Sequence, residues 1–151
     1  QDQSYFENSD LVIEAIVENL EIKKKVFAGI EKIVREDTII ASNTSSLSLA
    51  SIGASLENPS RFIGIHFFNP APVMKLVEVI RGLPTSDDTF NKIIQSIHEI
   101  KKDPVVSEDR PGFIINRILF IIHLCNKEKF WKLEFNDIIN ILDNYECTHG
   151  D

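Results

Sequence analysis

The chain has 151 residues, 43% hydrophobic and 26% charged, the composition of one folded domain or one domain with part of a second. Sixteen basic against 23 acidic side chains leave a net charge of −7, which excludes the basic surface that a nucleic acid partner requires. No run approaches the ~20 apolar residues of a membrane span, so neither nucleic acid nor membrane is an expected partner.

The segment 10–15, with Leu11, Val12 and Ile13, predicts a strand buried on both faces. Ile22, Val26, Phe27, Ile30, Ile33 and Val34 then recur at helical spacing, which puts Lys23, Lys24, Lys25, Glu31 and Lys32 on the wet side. A second strand over 38–42 completes a βαβ unit, whose strands are parallel and whose crossover is right-handed. The polar cluster Asn43, Thr44, Ser45 and Ser46 is expected to cap a short helix through Leu47, Leu49 and Ile52. Asn58 and Pro59 mark a turn. A third strand over 61–67 is stopped by Asn69, Pro70 and Pro72, and a fourth covers 75–80. Gly82 and Pro84 end it, and Thr85 or Ser86 caps a helix with Phe90, Ile93, Ile94, Ile97 and Ile100 on one face. A fifth strand covers 104–107. Beyond Asp109 the pattern is helical only, over 113–131 and again over 135–142, with Pro111 in a first turn.

These elements predict an α/β fold: a partial Rossmann-like, mostly parallel sheet over residues 1–109. An all-helical segment begins at 110 and runs to 151. Cys125 and Cys147 stand alone, which excludes a disulfide framework and points to a reducing compartment. The four histidines form no HxH or HxxxH pair, so no metal site is expected, and His123, Cys125, Trp131 and His149 are assigned structural roles.

Glu78 is the most informative residue, because Leu76, Val77, Val79 and Ile80 flank it within one strand. Burying a carboxylate there is costly without a partner. Either it reaches solvent at a strand edge, or it pairs with His66 on the preceding strand. A carboxylate on one imidazole nitrogen fixes the tautomer and leaves the other nitrogen for proton transfer. Three strand ends in succession carry polar clusters: Val17, Glu18 and Asn19; Asn43 to Ser46; and His66 to Asn69. Ligands gather at the carboxyl ends of strands in open parallel sheets.

The blocks at 14–20, 41–46, 64–70, 74–79 and 110–117 occur in an order and spacing that resembles the 3-hydroxyacyl-CoA dehydrogenase family, including 3-hydroxybutyryl-CoA dehydrogenases. The most specific are the His66-Phe67-Phe68-Asn69-Pro70 and Leu76-Val77-Glu78-Val79 runs. The resemblance covers about residues 8–119. It implies NAD as cofactor and an acyl-CoA as substrate, with His66 as catalytic base and Glu78 supporting it. Ser45 would polarise the 3-oxygen between cofactor and substrate, and Asn116 would hydrogen-bond the substrate. Ile16, Val17 and Glu18 would lie along the nicotinamide riboside. Lys23 and Asn69 would contact NAD, and Asn43 would shape the same loop.

The six glycines form no GxGxxG turn, and the chain starts on Gln. Both predict a piece of a longer enzyme, one that binds NAD weakly by itself and exposes an associating sheet edge. The whole enzyme would act in fatty-acid β-oxidation or butanoate metabolism and form homodimers. It would be cytoplasmic, or mitochondrial or peroxisomal in a eukaryote. A non-catalytic truncated remnant or interaction module is the alternative expectation.

Overall fold

A computed structural model of the chain describes residues 4–110 and 112–119. In chain order the elements are β1 (Leu11–Glu14), α1 (Leu20–Glu31), β2 (Ile39–Ser42), α2 (Leu49–Gly53), β3 (Phe62–Phe67), β4 (Leu76–Arg81), α3 (Asp87–Glu99) and β5 (Asp103–Glu108). Short 3-10 turns occupy Ser4–Phe6, which the sequence pattern did not suggest, and Pro59–Arg61. The chain re-enters helix over 115–119. The helices expected over 113–131 and 135–142 lie, beyond that point, outside the described residues, as do His123, Cys125, Trp131 and His149.

One five-stranded sheet runs in the order β1-β2-β3-β4-β5. β1, β2 and β3 pair in parallel, as do β4 and β5, while β3 and β4 are antiparallel. This is the mostly parallel Rossmann-like α/β sheet that the alternating elements predict. Side chains alternate across it. Val12, Ile40, Phe62 and Ile80 pack on one face under α1 and α2, with Phe27, Ile30, Leu49 and Ile52. Ile39, Ala41, Ile63, Ile65, Val77 and Val79 pack on the other under α3, with Ile93 and Ile97. Gly64 lies where α2 crosses β3 closely: a Cβ there would sit 2.8 Å from Leu49 Cδ1 and 2.9 Å from Ile80 Cβ.

Three local expectations need correction. In α1 it is Ile22 that faces solvent, 44% exposed, and Lys23 that is fully buried. Asn19 caps the helix, and Lys23 shares the inner face with Phe27 and Ile30 at i, i+4 and i+7, while Ile22 falls one residue off that face. Glu31 is not on the wet side either. Its carboxylate is covered, pairs with the buried Arg61 at 3.3 Å, and accepts the amides of Glu57 and Asn58. Finally, Ser48, not the cluster 43–46, caps α2, its hydroxyl accepting from the Ser51 amide, and Leu47 lies outside that helix. For α3, Ser86 is the cap of the two candidates.

Candidate active site

The antiparallel β3–β4 register sets His66 directly opposite Glu78 on the sheet face shared with Gly64 and Ile80. The two side chains meet there, Glu78 Oε2 lying 2.8 Å from His66 Nδ1, with Glu78 fully buried and His66 7% exposed. A carboxylate only accepts, so Nδ1 carries the proton and donates, and Nε2 of the neutral ring keeps its lone pair. The ring packs against Phe68 and Phe113, at centroid distances of 4.5 and 6.0 Å.

The other Glu78 oxygen, Oε1, accepts the backbone amides of Ile114 and Ile115 at 2.9 and 2.8 Å. These amides open the helix over 115–119, so a strand residue far away in sequence supplies its cap. Gly112 and Phe113 adopt left-handed φ values of 68° and 49°. The glycine does so freely; the phenylalanine does so at a cost of about 1 kcal/mol or more. That double turn buries Phe113 beside His66 and is followed at once by the two amides on Glu78. Burial alone pushes the Glu78 carboxyl up, but the His66 hydrogen bond and the Ile115 and Ile114 amides outweigh it and hold it below the ordinary carboxylate value.

A second polar group sits at the carboxyl ends of β1 and β2. Glu14 is buried, its Oε1 accepting the Ile16 amide at 2.6 Å and the Lys23 ammonium at 2.7 Å, and its Oε2 accepting the Ser42 hydroxyl at 2.8 Å. Lys23 Nζ also lies 3.4 Å from Glu18 Oε2. The other Glu18 oxygen accepts the Thr44 hydroxyl and the amides of Ser45 and Ser46, the amides at 2.9 and 3.1 Å. Burial raises the Glu18 carboxyl, and these hydrogen bonds together with the Lys23 charge bring it below its ordinary value.

Asn116 joins the two groups, its Nδ2 donating to the Ser45 carbonyl at 2.9 Å. Asp109 makes a further tie. Its carboxylate accepts the amides of Leu49 and Ala50 and the Ser48 hydroxyl at 2.8, 2.7 and 3.1 Å, at the start of α2. Asn43 Oδ1 accepts the Phe67 amide at 2.9 Å and so joins the ends of β2 and β3. Ile16 and Val17 are exposed, at 41% and 62%, just beyond β1. Asn69 is exposed after β3, at a cis Asn69–Pro70 bond.

Of the predicted residues, His66 and Glu78 form one group, Glu18, Lys23 and Ser45 another, and Asn116 bridges them. Ile16, Val17, Asn43 and Asn69 lie at the same carboxyl ends of β1, β2 and β3. The Lys23 ammonium has no exposed surface and meets two carboxylates, those of Glu14 and Glu18. Sequence reasoning missed Glu14, Thr44 and Asp109. Glu14 was findable, because it shares its strand parity with the core residue Val12. Asp109 gave no such signal, since its partners are some sixty residues away.

A family profile described as the 3-hydroxyacyl-CoA dehydrogenase NAD binding domain matches residues 1–110. A probable 3-hydroxyacyl-CoA dehydrogenase of Caenorhabditis elegans is 54% identical over 112 residues, 74% of this chain and 36% of that protein. The crystal structure of (S)-3-hydroxybutyryl-CoA dehydrogenase from Ralstonia eutropha is 45% identical with a TM-score of 0.78, over 80% of this chain and 43% of that one. That of 3-hydroxybutyryl-CoA dehydrogenase from Escherichia coli is 44% identical with a TM-score of 0.76, over 78% and 25% respectively. The chain thus spans between a quarter and under half of these relatives.

Proposed function

The chain belongs to the 3-hydroxyacyl-CoA dehydrogenase family, and we propose that its site interconverts (3S)-3-hydroxyacyl-CoA and 3-oxoacyl-CoA with NAD. The observation that carries this reading is the buried His66–Glu78 pair, which leaves Nε2 of a tautomer-locked imidazole as a proton acceptor. NAD, when bound, accepts the hydride that leaves C3 of the substrate. His66 Nε2 takes the hydroxyl proton from the oxygen on the same carbon, and in the reverse direction returns it. Glu78 holds the Nδ1 proton in place and counters the charge that develops on the ring. The Ser45 hydroxyl polarises the 3-oxygen, and Asn116, fixed on the Ser45 carbonyl, hydrogen-bonds the substrate.

The residues present fit the nicotinamide end of the cofactor. Ile16 and Val17 form an exposed apolar ledge beside the Glu18 carboxylate, suited to a flat ring with a polar ribose behind it. Glu18, Lys23 and Asn69 contact the cofactor, and Asn43 shapes the loop. The pyrophosphate is not provided for by any GxGxxG turn among these 151 residues. Binding by this chain alone is therefore weak. The NAD-binding part ends at 109, and from 110 the chain begins a helical domain through which the whole enzyme dimerises. The whole protein works in fatty-acid β-oxidation or butanoate metabolism, in the cytoplasm or, in a eukaryote, in mitochondria or peroxisomes.

The test is NMR of the chain titrated with NADH and acetoacetyl-CoA at high concentration, with NADH consumption followed in parallel. The expected result is perturbation of the His66 and Ser45 signals and slow NADH oxidation that His66→Ala abolishes. Silence of both signals, or turnover indifferent to His66→Ala, would refute the assignment.

A further inference from the structure

Glu14 has no part in the chemistry above, yet its carboxylate is buried and holds three donors from three elements: the turn after β1, the end of β2, and α1. We propose that Glu14 is a positioning residue for the nicotinamide side of the site: by holding the Lys23 ammonium it keeps Glu18 turned onto the serine loop 44–46. This rests on the cofactor reading above. Lys23 is shared unequally, 2.7 Å from Glu14 and 3.4 Å from Glu18. The loose contact leaves the Glu18 carboxylate free to face Thr44, Ser45 and Ser46.

A buried ammonium must keep a counter-charge, and the attraction between buried charges is strong. Without the Glu14 charge, Lys23 has one carboxylate left in reach, so it closes on Glu18 and draws it off the Ser45 and Ser46 amides. Ser45 then shifts relative to Asn116, which is bonded to its carbonyl. Because Glu14 also holds the Ile16 amide and the Ser42 hydroxyl, a single carboxylate sets the apolar ledge and the serine loop relative to each other.

The test is Glu14→Gln in the full chain. The amide side chain keeps the shape and the hydrogen-bonding reach and removes the charge. Amide hydrogen exchange at Ser45 and Ser46 should quicken roughly tenfold, the effect of losing a charge-assisted hydrogen bond, and NADH affinity should fall by a similar factor. Core amides such as those of Ile40 and Ile63 should be unchanged. Adding Lys23→Met, which removes the ammonium that pulls on Glu18, should restore slow exchange at Ser45 and Ser46. A site with a merely structural Glu14 gives no such rescue, because the two losses then add. Should Glu14→Gln fail to fold, Ser42→Ala removes one tether and should move the same two amides by a smaller factor. Unchanged exchange in the variant that folds, or a double variant worse than either single one, overturns the proposal. If the unaltered chain binds no NADH, the cofactor reading fails, and the exchange data still decide the role of Glu14.

Discussion

Replacing Glu78 by Gln separates shape from charge at the centre of the site. The carboxylate meets three donors, His66 Nδ1–H at 2.8 Å and the Ile114 and Ile115 amides at 2.9 and 2.8 Å. A glutamine has one oxygen for both ends. If that oxygen stays on the two amides, its NH2 group faces His66 Nδ1, and the ring proton must move to Nε2. The base nitrogen is then blocked. If the oxygen turns to His66 instead, the NH2 group abuts two N–H donors and the helix start loses its cap. Either way one charge-assisted contact is lost, a stability loss of about 2 kcal/mol. Locking an imidazole in the wrong tautomer lowers turnover by about 10⁴ in serine-protease triads, which is about 5 kcal/mol of barrier. NADH consumption with acetoacetyl-CoA, urea unfolding, and nitrogen NMR of the imidazole read the three consequences. Parental stability together with an Nδ1–H ring and turnover within about threefold of the parent would show that the pair does not work as described.

The depressed carboxyls of Glu78 and Glu18 have a pH consequence. Each is deprotonated more readily folded than unfolded, so its stabilisation is full above the ordinary value of 4.5 and is lost as pH falls through the lower folded value. Urea midpoints should therefore drop steeply on acidification below that point, and Glu78→Gln should flatten the drop. Gly64→Ala places a methyl carbon against Leu49 and Ile80 and should destabilise the fold by about 2 kcal/mol by overpacking, measured by urea unfolding. Asp109→Ala strips the start of α2 of its carboxylate and should cost about 1 kcal/mol, with Asp109→Asn costing less.

Five strands, the helices between them and the stop after Phe67 were legible because they rest on local periodicity and on Pro and Gly punctuation. The opposition of His66 and Glu78 was legible because an acidic residue inside an apolar strand demands a partner. The Lys23 and Ile22 exchange was not. Ile22 lies one residue off the stripe that Phe27 and Ile30 define, and a lysine is scored as wet until the carboxylates that meet it are known. Likewise, the serine loop reads as a helix cap by composition, because nothing in the sequence shows that Glu18 has already taken its amides. Asp109 on Ser48, and Glu78 on Ile114 and Ile115, are contacts over long sequence separation that only the folded sheet brings together.

The separation of base and carboxylate is set by the β3–β4 register, in which His66 lies directly opposite Glu78. The link over 68–75 is fastened by another element, Lys102 reaching the Ala71 and Met74 carbonyls at 2.6 and 2.7 Å. Reshaping the part of that loop beyond Phe68 and Asn69 can therefore change what meets the site while the His66–Glu78 pair keeps its spacing. The architecture keeps the part that must stay constant apart from the part that is free to diversify.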